Sequence, residues 1–124
     1  MKIKGNDMLA AADEASALLK ALANRHRLLI VCQLSEKERA VGELAGLLNL
    51  RDSTVSQHLA LLRRDGLVTA RREGQTIWYS IGSAPARELV RTLYSVYCSP
   101  PPIGTPKGRQ KRSPARQLRV APNQ

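Results

Sequence analysis

At Gly66 the chain changes period. Before it, residues 53–65 carry Val55, Leu59 and Leu62 at helical spacing, so one face of a short helix turns toward a core. After it, residues 67–72 and 76–81 are two β-prone runs. The connection between them contains Gly74, which predicts a β-hairpin. Ile77, Tyr79 and Ile81 alternate inward in that hairpin, with Trp78 and Ser80 on the other face. A helix stopped by a glycine and followed at once by a hairpin leaves few folds open.

The helix has a polar front. Ser53 is its expected N-cap, since its hydroxyl can accept from a backbone N–H one turn in. Ser53, Thr54, Ser56, Gln57 and His58 place donors and acceptors on the first turns, short enough to reach base edges or phosphates from a major groove. Arg63 and Arg64 close the helix where cations suit its dipole, and Gly66 supplies the stop. A solvated surface helix has the same features, so the neighbours decide. Upstream, Val41, Leu44, Ala45 and Leu48 fit a short helix, followed by a turn over residues 49–52. Two short helices joined by about four residues, the second richer in polar side chains, form a helix-turn-helix or a plain helical hairpin. The hairpin that follows selects the first, because it is the wing expected of a winged helix. Arg71, Arg72 and Gln75 lie at or near its tip, where they either enter a minor groove or grip phosphate, or form an ordinary solvated hairpin tip.

The flanking segments are helical too. Residues 1–7 make a frayed, basic lead-in, and residues 8–22 carry a stripe of Leu9, Ala12, Ala15, Leu18, Leu19 and Leu22, whose alanines permit close helix approach. Asn24 caps a second helix over residues 25–34 with Leu28, Val31 and Cys32 on one face. Arg25, His26 and Arg27 crowd its first turn against the dipole, and the sequence identifies no acid that relieves them. Residues 35–39 form a polar connection. Residues 84–97 present Ala86, Leu89, Val90, Leu93, Tyr94 and Tyr97 on one stripe, with Pro85 in the first turn where its missing N–H costs nothing. That stripe needs cover, and the first helix, drawn from both protomers, is the natural source. A dimer also matches a palindromic site. The expected fold is therefore mainly α with a β-hairpin: a winged helix-turn-helix over residues 1–98, homodimeric through its first and last helices.

Twenty basic residues against ten acidic ones give a formal charge of +10, which calls for an anionic partner, nucleic acid before membrane. Six of those charges (Lys107, Arg109, Lys111, Arg112, Arg116 and Arg119) fall in a Pro-rich, acid-free tail over residues 99–124. The tail is expected to be disordered, and either adds phosphate contacts or only solubilises. No apolar run approaches ~18 residues, and no hydrophobic region follows the first four residues, so a cytoplasmic location is expected. Cys32 and Cys98 are then reduced thiols rather than a structural bridge. The chain shows no glycine-rich phosphate loop, paired-carboxylate cleft or recognisable triad. Neither an enzyme nor a cofactor is expected.

Three runs, Val41-Gly-Glu-Leu44, Ser53-Thr-Val-Ser-Gln-His-Leu-Ala-Leu-Leu-Arg-Arg-Asp-Gly-Leu-Val68 and Arg71-Arg-Glu-Gly-Gln-Thr-Ile-Trp-Tyr79, resemble the ArsR/SmtB repressors through residues 8–98. The resemblance implies a dimeric winged-helix repressor that leaves its operator when an inducer engages a sensor site. It implies DNA contacts from Ser53, Thr54, Ser56, Gln57, His58 and Arg63, and from Arg71, Arg72 and Gln75 of the wing.

Metal-sensing members carry a Cys-Val-Cys beside the third helix, where this chain has Ala40 and Gly42. Others use Asp, His and Glu along the last helix, where residues 84–98 offer only Glu88. Cys32, Cys98, His26 and His58 are too few and too scattered for the three or four soft ligands such a site needs, so no metal site is expected. A cysteine in the second helix and one at the end of the last is similar instead to the persulfide-responsive BigR/SqrR/HlyU branch, which implies reactive sulfur as inducer. Each cysteine on its own also fits a small buried hydrophobe. In the branch reading Cys98 is the more reachable thiol and Cys32 the sheltered one with a raised pKa. Two further readings stand beside it: a regulator of this family answering another inducer such as a metal ion, and an architectural protein that coats DNA without reading it.

Overall fold

The computed structural model describes residues 3–98. In chain order these form α1 (Gly5–Leu22), α2 (Arg25–Glu36), α3 (Val41–Leu48), α4 (Asp52–Arg64), β1 (Val68–Glu73), β2 (Thr76–Ile81) and α5 (Ala84–Tyr97). This is the winged helix-turn-helix that the change of period at Gly66 predicts. The basic tail, residues 99–124, lies outside the described residues.

Several boundaries follow from local chemistry. Asn24 caps α2, its Oδ1 accepting from the Arg27 N–H at 3.1 Å. Ser83 does the same for α5, accepting from Ala86, with Pro85 in the first turn. At the end of α4, Gly66 takes φ 80°, its N–H bonds the Arg63 carbonyl, and the Leu67 N–H reaches back to Leu62. That pair of bonds closes the helix as a Schellman turn, a conformation glycine adopts without steric penalty. Asn49 ends α3 in the left-handed region at φ 57°, and the Leu50 N–H returns to Ala45. These two stops bracket the helix-turn-helix.

Four expectations are corrected. The first helix starts at Gly5 rather than residue 8, so residues 5–7 of the expected lead-in are helical. Ser53 is not the cap of α4: the Val55 N–H bonds the Arg51 carbonyl at 3.1 Å, which makes Arg51 the cap position and puts Ser53 inside the first turn. Asp52 there supplies the negative charge that suits a helix start. The inward face of α2 centres on Ile30, Val31 and Leu34, with Leu28 and Cys32 only half-buried beside them. Finally, Ile77 does not point inward but is exposed, because it pairs with Arg72 near the hairpin tip, beyond the reach of the core.

The crowded cationic start of α2 also finds its partner. It is no acid but a carbonyl: Arg27 Nε donates at 2.7 Å to Ala21 at the end of α1, whose last carbonyls carry the negative end of that helix dipole.

The core gathers Ile30, Val31 and Leu34 from α2, Leu44 and Ala45 from α3, Val55, Leu59 and Leu62 from α4, Val68 and Ile81 from the hairpin, and Ala86 and Val90 from α5. Burial of these aliphatic side chains, roughly 1.5–3 kcal/mol for each large one, fixes α4 against α2 and α3. The hairpin is antiparallel, from Val68 opposite Ile81 to Glu73 opposite Thr76. Much of α1 and the second half of α5 stay outside this core: Leu9, Leu19, Tyr94 and Tyr97 are all more than half exposed.

Candidate nucleic-acid interface and cysteine pair

Burying Val55, Leu59 and Leu62 dictates what α4 shows to solvent. Ser53, Ser56, Gln57, Ala60, Arg63 and Arg64 recur at three- and four-residue spacing, and all are exposed. They form one continuous stripe with hydroxyls and an amide near the helix start and two guanidiniums at its end. Thr54 is half-buried on the flank of this stripe.

His58 is placed differently from the other polar residues of α4. It is half-buried and turned to α2, its ring edge-on to His26 with centroids 5.6 Å apart. Its Nδ1 is buried and has no hydrogen-bond partner. Burial lowers its pKa, and the charges of Arg27 and His26 lower it further. The reason lies in helical geometry: residue 58 sits beside Leu59 and one turn after Thr54, on the edge of the buried face rather than at the centre of the polar one.

The wing stands beside the stripe. A crevice of about 450 Å³, lined by Ser56, Ala60, Arg63, Arg64 and Tyr79, separates α4 from β2. Gly74 turns the hairpin at φ 63°, and Arg71, Arg72 and Gln75 are exposed. Two of the three are already engaged. Arg71 donates twice to Glu38, at 2.5 and 3.1 Å, and meets Glu73 at 3.4 Å, while Arg72 Nε donates to the Gly74 carbonyl at 3.2 Å. The hydrogen bond from Arg71 holds the Glu38 carboxyl below its usual pKa.

The connection between α2 and α3 holds the residue the sequence underrates. Arg39 is 7% exposed, the one buried charged residue among the described residues. Its main chain exchanges both hydrogen bonds with Tyr79 of β2, at 3.0 and 2.8 Å, adding a one-residue third strand to the wing. Its guanidinium donates to the Gln33 carbonyl at 3.2 Å, to Glu43 at 2.8 Å and to Glu36. The signal was present: acids stand three residues before and four after Arg39, the spacing at which helical side chains meet.

The two cysteines differ in exposure. Cys32 is half-buried on α2, packed against the core, and Cys98 is exposed where α5 ends. Both are free thiols. Burial raises the Cys32 pKa, and the charge of Cys98 raises it further. Among the described residues no three His, Cys, Asp or Glu side chains group as metal ligands do, and no helix is long and apolar enough to cross a membrane.

Residues 24–70 match the family described as bacterial regulatory protein, arsR family. Over 85 residues, 68% of this chain and 79% of the relative, the sequence is 48% identical to the transcriptional activator HlyU of Vibrio cholerae. The fold superposes on the transcriptional repressor BigR of Xylella fastidiosa with a TM-score of 0.74 at 39% identity, covering 79% of this chain and all of that one. It also matches a homodimeric winged helix-turn-helix DNA-binding domain from Mycobacterium bovis, with a TM-score of 0.63 at 34% identity, over 77% of this chain and 89% of that one.

Proposed function

Because the chain belongs to the ArsR family of bacterial regulatory proteins, we propose that this transcriptional regulator is a repressor that binds operator DNA as a homodimer and is released when Cys32 and Cys98 are bridged. The observation that carries the DNA half is the exposed stripe of α4 backed by a fully buried face and flanked by the wing. A helix so fixed can lie in a major groove, with Ser53, Ser56 and Gln57 toward base edges and Arg63 toward phosphate. Thr54 contributes from the flank. Arg72 and Gln75, with Arg71 behind them, reach the neighbouring minor groove or backbone. His58 braces α4 against α2 in this reading rather than touching DNA.

The dimer is supported by the apolar surface left over. Met8, Leu9 and Leu19 of α1 and Tyr94, Val96 and Tyr97 of α5 are exposed in one protomer, and a second copy covers them. Pairing two copies of α4 gives two reading heads for a palindromic operator. One relative is named an activator and another a repressor. A regulator that holds its site only as free thiols acts as a repressor wherever that site overlaps a promoter.

The switch follows from the unequal thiols. Exposed Cys98, as thiolate, attacks the outer sulfur of an organic hydropersulfide RSSH, forming Cys98–S–SH and expelling RS⁻. Cys32 then attacks the Cys98 Sγ, HS⁻ departs, and the proton from Cys32 goes with it. The sum is RSSH plus two thiols giving one disulfide, RSH and H₂S. If both cysteines are persulfidated first, their condensation with loss of H₂S leaves a three-sulfur bridge, which spans a longer gap than the roughly 7 Å between Cα atoms that a disulfide tolerates. Either bridge ties the end of α5 to α2 and alters the spacing of the two reading helices. Complete release asks for about 5.5 kcal/mol of difference between the two states, within reach of a covalent link. Intact-mass analysis after hydropersulfide treatment, beside gel shifts on the promoter DNA upstream of its own coding sequence, tests the reading. A bridged protein that stays bound contradicts it.

A further inference from the structure

We infer that Arg39 is a positioning residue for the wing, and that it joins the wing to the helix that carries Cys32. This deepens, and rests on, the thiol-switch reading above. The wing is gripped at two consecutive residues of the α2–α3 connection. Arg39 pairs through its main chain with Tyr79 on β2, while the Glu38 carboxylate takes the Arg71 guanidinium on β1 in a two-point contact. One short segment therefore holds both strands of the hairpin.

The other side of Arg39 reaches back into α2. Its Nε bonds the Gln33 carbonyl, the residue next to Cys32, and its two remaining nitrogens meet Glu36 on the last turn of α2 and Glu43 on the first turn of α3. A buried guanidinium with three such partners tolerates little displacement, since losing any one leaves a desolvated charge underpaired. Two of these partners lie on α2 and the third on α3, so the guanidinium ties the two helices together at the foot of the wing. If α2 shifts when Cys32 is bridged, the Gln33 carbonyl and the Glu36 carboxylate shift with it, and Arg39 carries the shift to Tyr79. The exposed Glu38–Arg71 pair steadies the outer strand but is open to screening by salt, so the buried contact is the stronger joint. In this arrangement Arg71 is an anchor of the wing, held by the α2–α3 connection, and Arg72 and Gln75, which among the described residues make no bond to that connection, are left to contact DNA.

The test compares full-length wild type, Arg39→Met and Arg39→Lys. Methionine keeps a long unbranched stem in the slot and removes the donors. Lysine keeps the charge but cannot serve three acceptors in the same geometry. Each protein is taken fully reduced and after hydropersulfide treatment, with bridging confirmed by mass, and titrated on the operator by anisotropy. Hydroxyl-radical footprinting of the reduced forms reads the wing. The expected result is complete bridging in all three, retained protection under α4 and lost protection under the wing in Arg39→Met. In that variant the reduced-to-bridged affinity ratio falls at least tenfold below that of wild type, with Arg39→Lys between. A ratio in Arg39→Met equal to that of wild type, or an unchanged wing footprint, overturns the inference while leaving the thiol switch standing. A wild type whose affinity does not change on bridging overturns both. If Arg39→Met does not fold, Arg39→Lys decides by the same ratio and footprint.

Discussion

The imidazole of His58 meets that of His26 edge-on, with ring centroids 5.6 Å apart, at the seam between α4 and α2. The contact joins α4 to the helix that bears Cys32. It is also where protonation is resisted, because burial and then the charges of Arg27 and His26 lower the His58 pKa.

Acid should therefore loosen this seam. Above the ordinary histidine value of 6.5, His58 is neutral in both folded and unfolded chains and the shift costs nothing. As pH falls through that value, the unfolded chain takes up a proton that the folded one resists, so stability declines until the lowered folded pKa is passed. Denaturation followed from pH 7.5 to 5 should show this decline, and His58→Gln should flatten it. An equal decline in that variant places the effect elsewhere.

The connection leaving β2 passes β1 at a close approach. A Cβ on Gly82 would stand 2.6 Å from Thr69 Cγ2, whose hydroxyl is occupied by the Ser80 hydroxyl at 3.2 Å. Gly82→Ala should cost about 1–3 kcal/mol, an ordinary overpacking penalty. Thr69→Ser, which removes that methyl, should restore most of it. Thermal melts of the two single variants and the double variant check the coupling. Additive losses contradict it.

Two exposed residues should separate reading from holding. Gln57→Ala is expected to cost about 1–3 kcal/mol on the preferred site and to narrow its margin over mismatched sites. Arg72→Ala is expected to weaken all sequences alike and to reduce the salt slope by about 1. Titrations on matched and mutated operators at several salt concentrations distinguish them. Discrimination unchanged by Gln57→Ala removes it from the reading set.

The thiols should differ in rate. Cys98 is exposed and Cys32 is held protonated by burial, so iodoacetamide at pH 7 should label Cys98 roughly tenfold faster or more. Raising the pH should narrow the gap. Peptide mapping at timed intervals reads both sites. Faster labelling of Cys32 reverses the order of attack proposed above.

What was legible in the sequence was whatever a short window decides. Asn24, Pro85, Gly66 and the Val55, Leu59 and Leu62 stripe act through neighbours within a turn or two, and the structure puts each in the role its pattern implied. Ser53 misled because Asp52 and Ser53 both suit a helix start. The choice of the Arg51 carbonyl as first acceptor depends on how the turn from α3 delivers the chain. Alternation placed Ile77 inward because a period of two does not say how far a hairpin overhangs its core. His58, expected among the DNA contacts, and Arg39, expected in a connection, have partners that arrive from distant elements, His26 for one and Tyr79 for the other, and no local window reveals them. The proposed pairing of Cys32 with Cys98 is likewise a tertiary matter; no local pattern encodes it.

The central claim is that one cysteine pair decides whether α4 stays on DNA. Its most direct test is operator affinity, by anisotropy, for wild type, Cys32→Ser and Cys98→Ser before and after the same hydropersulfide treatment. Wild type should lose roughly 100-fold or more in affinity on bridging, enough to empty a site near its working concentration. Both serine variants should remain bound. If wild type keeps its affinity, or both variants release as wild type does, Cys32 and Cys98 are not the switch.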